Sequence, residues 1–308
     1  MRKKMIPMTA ALLLAAVCSD IDLGPVWVEH ALPGDPAQGL WDIAASPSGE
    51  VWVVGRGGEA WHCDGESWEE KSSGFNDYEL TGVAPDEDGG CWAVGADSDE
   101  LGRIIRYDPD DGWSEEDMPE TPSFLADVER EPGGRVFAVG SGGEVWRWEP
   151  SRGDWERIFG NAALLWRAVS AGADRSLVVG GDDDGKGIYA WIVNGEVKDL
   201  QSCGCGRLED VKLLDSGDAW LLAVDGVVLY LSDGELTTVA ETGCSLFGLD
   251  AVDDGTCFAG GVGGLLYRVE AGGYEQVESG TTENIHEIAL LSLTEGWAAA
   301  ETLLLEYR

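Results

Sequence analysis

Four carboxylates recur at one place in the sequence. Asp42, Asp127, Asp210 and Glu287 each stand ten residues before the centre of a short apolar run. A carboxylate that opens a strand can accept backbone N–H groups from the chain entering it. Carboxylates gathered at the mouth of a channel form a ligand or cation site. A second acidic set lies in turns, Asp97 and Asp99 in "DSDE" and Asp182 and Asp184 in "DDDG". Ca²⁺ takes six to eight oxygens from such loops, with a Gly to let the chain turn. Asp182, Asp184 and Gly185 match a fragment of that pattern without its third Asp. The same residues also suit solvated turns or a loose association with cations. No cofactor is required by these patterns, and Ca²⁺ is the one they could accommodate.

The cysteines carry the third kind of chemistry. Apart from Cys18 there are six: Cys63, Cys91, Cys203, Cys205, Cys244 and Cys257. An even count in an exported chain permits up to three disulfides. Bridges Cys63–Cys91 and Cys205–Cys244 are expected, each joining neighbouring repeats. "CGC" at 203–205 has no C-x₂-C partner and no nearby His, so zinc is not indicated.

Other reactive patterns fall away. "GGDDDGKG" at 180–187 approaches a phosphate loop, but Gly187 replaces the hydroxyl residue and three Asp would repel phosphate. His30, His62 and His286 are far apart, and nothing in the sequence links any of them to a nucleophile. The formal net charge of −38 repels nucleic acid and anionic lipid surfaces, so neither is a partner.

The elements that must position these residues repeat. Apolar runs centre on Trp52, Trp92, Phe137, Leu177, Trp220, Phe258 and Trp297, spaced 38 to 45 residues apart. Each follows a turn such as "SPSGE" or "REPGGR", and the first six are each followed by two further short β-type runs. Four antiparallel strands per unit at this period predict an all-β, seven-bladed β-propeller of four-stranded blades. The seventh unit lacks a fourth strand, whereas "GPVWVEH" precedes the first unit. That N-terminal strand is expected to complete the last blade and remove the open edge. The fourteen Trp recur at equivalent strand positions, which assigns most of them to packing between blades.

Residues 1–17 read as a signal peptide, with a basic start at Arg2 to Lys4 and an apolar stretch too short to span a bilayer. "LLAAVCSD" resembles a bacterial lipoprotein signal in which Cys18 is acylated and becomes the first mature residue; ordinary cleavage nearby is the alternative. Either way the protein is exported, lipid-anchored at the bacterial cell envelope or secreted. Residues 18–308 are then one propeller domain.

The phrase "VWVVGRGGEAWHCDGESW" and its echoes resemble exported bacterial propellers of the BNR-like and YCF48-like kind. The resemblance implies a binding or assembly module, non-enzymatic and monomeric, with a protein partner at the envelope. Sialidases are propellers with a related repeat, but "HCDGESW" and "DPDDGW" lack its Ser. A lectin-like or glycan-active propeller, using the acidic loops with Ca²⁺, is the other reading of the same frame.

Overall fold

The computed structural model describes residues 25–34, 36 and 38–308. The leader and Cys18 lie outside the described residues. Among the described residues twenty-eight strands form seven sheets of four antiparallel strands each. Six blades use consecutive strands. The seventh takes Ile285–Ser292, Glu295–Ala300 and Leu304–Tyr307 from the end of the chain and Trp27–His30 from its start. Trp27 pairs with Tyr307 and His30 with Leu304, as the orphan N-terminal strand predicts.

The blades are joined by a repeated insertion. The central residue of each second strand packs into the next blade. Trp52 meets Tyr107 and Trp113 of blade 2, with ring centroids 5.0 and 5.9 Å away. Trp92 meets Trp148 and Trp155 of blade 3 at 5.1 and 5.5 Å. Phe258 meets Tyr307 and Trp27 of blade 7, and Trp297 meets Trp68 of blade 1 at 5.1 Å. Trp220 donates its indole N–H to the Asp253 carbonyl of blade 6. Offset and edge-on aromatic pairs add about 0.5–1.5 kcal/mol each beyond the area they bury.

The inner strands are Leu40–Ala45, Glu79–Pro85, Leu125–Arg130, Leu164–Ala171, Leu208–Leu213, Leu246–Ala251 and Ile285–Ser292. All seven carry a bulge near their start. Leu40 faces Gly55 but Asp42 faces Val54, so Trp41 has no partner on the second strand. Thr81, Ala126, Arg167, Glu209, Phe247 and His286 are the extra residues of the other blades. The bulge explains the glycine that ends the repeated phrase. A Cβ on Gly55, Gly95, Gly140, Gly180 or Gly261 would collide with the backbone carbonyl just before the bulge. A bulge bends the strand and re-aims one side chain; here it aims one residue per blade toward the central channel.

Closure through the N-terminal strand yields a test. Trp27 is only 6% exposed and stacks on Tyr307 at 4.8 Å. Trp27→Ala should lower unfolding stability by about 3–5 kcal/mol, read as a lower urea midpoint with an unchanged slope.

Candidate functional site

The inner strands surround a cavity of about 950 Å³. Its wall carries the four carboxylates predicted from the sequence, and the structure brings them together around the channel. Each Asp of the set bridges two blades. Asp42 accepts the N–H of Ile43 at 2.8 Å and that of Val83 in blade 2 at 2.6 Å. Asp127 does the same for Val128 and for Val169 in blade 4. Asp210 does so for Val211 and for Leu249 in blade 6. The receiving blades carry a small residue at the ring position, Gly82, Ala168 and Gly248. A Cβ on Gly82 would come within 2.8 Å of the Asp127 Cα, so the neighbouring backbone fills that space.

Counting back ten residues in blade 4 lands on Arg167. The structure corrects this: Arg167 is the bulge residue, and Ala168 occupies the ring position opposite Val179. The alternation of acid and small residue fails once, because seven is odd. Glu287 of blade 7 is followed by Asp42 of blade 1, whose own carboxylate already takes the Ile43 N–H. Among the described residues Glu287 accepts a hydrogen bond from Ile288 alone. Its carboxylate leans back over Gly248, where a Cβ would lie 2.6 Å from both oxygens.

A second layer lies deeper. Asp250 accepts the N–H of Ala251 and that of Leu290 in blade 7, and Ser170 accepts that of Leu213 in blade 5. Lys212 reaches Asp250 at 2.8 Å. Burial works against its charge, but the carboxylate outweighs it and holds the ammonium above the usual lysine range.

The electrostatics follow from enclosure. Burial pushes Asp42 up to about 7 against the pull of its two N–H donors. It pushes Asp210 up to about 6 and Glu129, one layer down, to about 7. Burial first, and then the neighbouring ring charges, raise Asp127 and Glu287 well above the ordinary carboxylate range. The ring therefore titrates as a set and retains protons near neutrality.

The bulge residues form the mouth, and it has three sectors. Blades 6, 7 and 1 contribute an aromatic arc. His286 stacks near Phe247 at 5.6 Å and lies 4.6 Å from Trp41. Burial lowers the pKa of His286. Blades 4 and 5 contribute a charged pair, Arg167 to Glu209 at 3.2 Å, with Arg207 also on Glu209 at 2.6 Å. Blades 2 and 3 contribute the short side chains of Thr81 and Ala126 to the same wall. Arg56 caps the Trp41 ring at 4.8 Å and pairs with Glu79. The Trp41 Nε1–H is buried without an acceptor. Counting from strand centres hides this mouth. The signal is the four-residue frame LWDI, LTGV, LADV, WRAV, LEDV, LFGL, IHEI, whose second letter is the mouth residue.

The acidic loops satisfy their own turns. Asp97 accepts the N–H groups of Asp99 and Leu101 and pairs with Arg103. Asp182 accepts those of Asp184 and Lys186, and Asp184 pairs with the Lys186 ammonium at 2.9 Å. No group of three His, Cys, Asp or Glu among the described residues is placed to hold a metal ion.

The expected disulfides are corrected. Cys205 bonds Cys203, and Cys63, Cys91, Cys244 and Cys257 are free thiols. Cys63 packs between blades 7 and 1, whereas Cys91 packs between blades 1 and 2. Cys205 packs between blades 4 and 5, and Cys244 between blades 5 and 6. In each expected pair a whole sheet separates the two sulfurs.

The ring predicts a pH dependence. A raised carboxylate pKa means that folding takes up protons. The stability it contributes is present below the unfolded value near 4 and lost as pH rises through about 7 for Asp42. The melting temperature should fall from pH 5 to pH 8. Asp42→Asn should flatten that slope while lowering stability at pH 5 by about 1–3 kcal/mol, since one N–H loses its acceptor. An equal slope in the two proteins would contradict the assignment.

Comparison with known proteins gives a consistent picture. No protein-family model matches this chain. The photosystem II assembly lipoprotein Ycf48 of Prochlorococcus marinus (strain MIT 9313) is 30% identical over 142 residues, 42% of this chain. The match spans 41% of that relative's length. A solved YCF48 bound to a D1 peptide superposes with a TM-score of 0.70 at 17% identity, covering 91% of this chain and 94% of that one. A YCF48 from Cyanidioschyzon merolae gives 0.69 at 17%, covering 92% and 99%. A streptogramin B lyase gives 0.76 at 12%, covering 92% and 97%. At these identities the solved structures speak for the fold alone. The chain folds as a seven-bladed β-propeller similar to the solved YCF48 structures, and over 142 residues it resembles the curated Ycf48 relative in sequence.

Proposed function

We propose that this propeller is a non-enzymatic binding and assembly module that seats an extended segment of another protein across its channel mouth. The observation that carries this is the three-sector mouth. An aromatic arc of Phe247, His286 and Trp41 lines the cavity beside the Arg167–Glu209 pair. An extended peptide offers what these groups lack. Its apolar side chains suit the arc, and its backbone carbonyls suit the Arg167 and Arg207 guanidinium groups at the rim. The peptide-bound YCF48 structure and the assembly role named for the curated relative support the same reading.

A sugar platform is less well served. Such platforms present flat exposed rings, whereas no Trp among the described residues is exposed, and Arg56 lies over Trp41. The module acts as a monomer, without a cofactor, and works at the cell envelope. The basic–apolar leader ending at Cys18 and the word lipoprotein in the relative's name support tethering by an acyl chain. Fatty-acid labelling in the host should be lost in Cys18→Ser.

The binding test is a pull-down from envelope extract, with Ca²⁺ and with chelator. Trp41→Ala and Phe247→Ala should each weaken capture of the protein partner about tenfold or more, the equivalent of about 1.4 kcal/mol, with melting unchanged. Chelator should have no effect. Captured glycan lost in chelator would turn the reading to a lectin. Conversion of a streptogramin B compound by the protein would turn it to a lyase.

A further inference from the structure

The outer strand of blade 4, Glu196–Gly206, carries a feature that the channel does not use. Lys186 pairs with Gly206 and Ile188 with Ser202. Three residues, Cys203, Gly204 and Cys205, therefore stand opposite the single residue Gly187. Their disulfide clips this bulge shut, with Cα atoms 5.2 Å apart. Gly187 is its seat: a Cβ there would strike the Cys203 sulfur and approach that of Cys205 to 3.1 Å. Gly204 takes the left-handed conformation, φ 71°, that lets the chain double back.

We propose that Cys203–Cys205 is a redox-active disulfide, opened by a dithiol reductant, that controls the order of the Arg207–Glu209–Arg167 side of the mouth. Three observations carry this. First, the bond encloses one residue. So short a loop removes little entropy from the unfolded chain, and the fold does not depend on it. Second, the bond lies at the edge of the packing between blades 4 and 5. Cys203 and Cys205 are both half-buried and flank the exposed Gly204, on a strand that is exposed along most of its length. Cys63, Cys91 and Cys257 are buried, and Cys244 sits against the Tyr267 hydroxyl at 3.4 Å. Third, the bulge leads directly to the mouth. Gly206 is followed by Arg207, whose carbonyl accepts the Val224 N–H at 2.9 Å. Its guanidinium bonds Glu209 at 2.6 Å, and Glu209 holds Arg167 at 3.2 Å.

The exchange balances as follows. One thiolate of the dithiol attacks a sulfur of the pair, the S–S bond breaks, and a mixed disulfide forms. The second thiol of the reductant displaces the bound sulfur. Two electrons and two protons pass to Cys203 and Cys205, and the reductant leaves as its own disulfide. Without the clip, three residues opposite one are free to open, and the Lys186–Gly206 pair that anchors Arg207 loosens.

The test uses the full chain with dithiothreitol as the probe. Graded dithiothreitol, alkylation and mass spectrometry should label Cys203 and Cys205 together, at concentrations that leave Cys63, Cys91 and Cys257 unlabelled. Hydrogen exchange of the amides from 204 to 209 should quicken severalfold on reduction, with blades 1 and 2 unchanged. A C203S/C205S double variant should show the fast exchange without reductant. Labelling that appears only together with the buried thiols would mean the bond opens by global unfolding, and would overturn the proposal. Exchange that stays slow in the reduced protein or in the double variant would overturn the link to the mouth. Neither readout involves a partner, so the result stands apart from the binding reading.

Discussion

One extra residue per blade underlies the whole inner face of this propeller. Each inner strand inserts a bulge near its start, and the second strand yields space for it. In five blades that space exists because a Gly of the second strand, Gly55, Gly95, Gly140, Gly180 or Gly261, stands opposite the bulge, where any side chain would strike the facing carbonyl. The bulge changes the facing of the strand between one residue and the next. The inserted residue lines the mouth, and the one after it lines the channel. Without the bulge, strict alternation would bury one of these two in the blade.

The second constraint is that the ring has an odd number of blades. A carboxylate that reaches forward to the next blade needs a small residue there, so acids and small residues alternate. Around seven blades the alternation must fail once. It fails at the junction of blades 7 and 1, where Glu287 and Asp42 are neighbours. The same junction is closed by strand Trp27–His30, paired with the last strand of the chain. The aromatic arc of Phe247, His286 and Trp41 straddles it. Closure, charge crowding and the most distinctive part of the mouth therefore coincide.

The protein's many carboxylates divide by what they accept. Those in turns, such as Asp97 and Asp182, bond N–H groups two and four residues on and remain at the surface. On the inner strands, Asp42, Asp127 and Asp210 bond N–H groups of the next blade, and enclosure raises their proton affinity. Both kinds serve the backbone first. What distinguishes the channel is that its acids face one another across an open cavity, with Lys212 as the counter-charge on Asp250.

The sequence by itself determined the blade count, the four strands per blade and the closing N-terminal strand. Each depends on local patterning: apolar runs of period two, Gly and Asp turns, and one repeat length. It also placed Asp42, Asp127, Asp210 and Glu287 on one ring, because equivalent positions in a repeat are equivalent in space. The tertiary structure decided the rest. Arg167 moved from the ring to the mouth because a bulge adds a residue that counting from strand centres does not see. Cys63 and Cys91, close in the order of strands, lie on opposite faces of the blade 1 sheet. The face that a side chain takes is set by register and by bulges, and a shift of one residue reverses it. The repeat period fixes which residues are equivalent. Only the packed ring shows which of them meet.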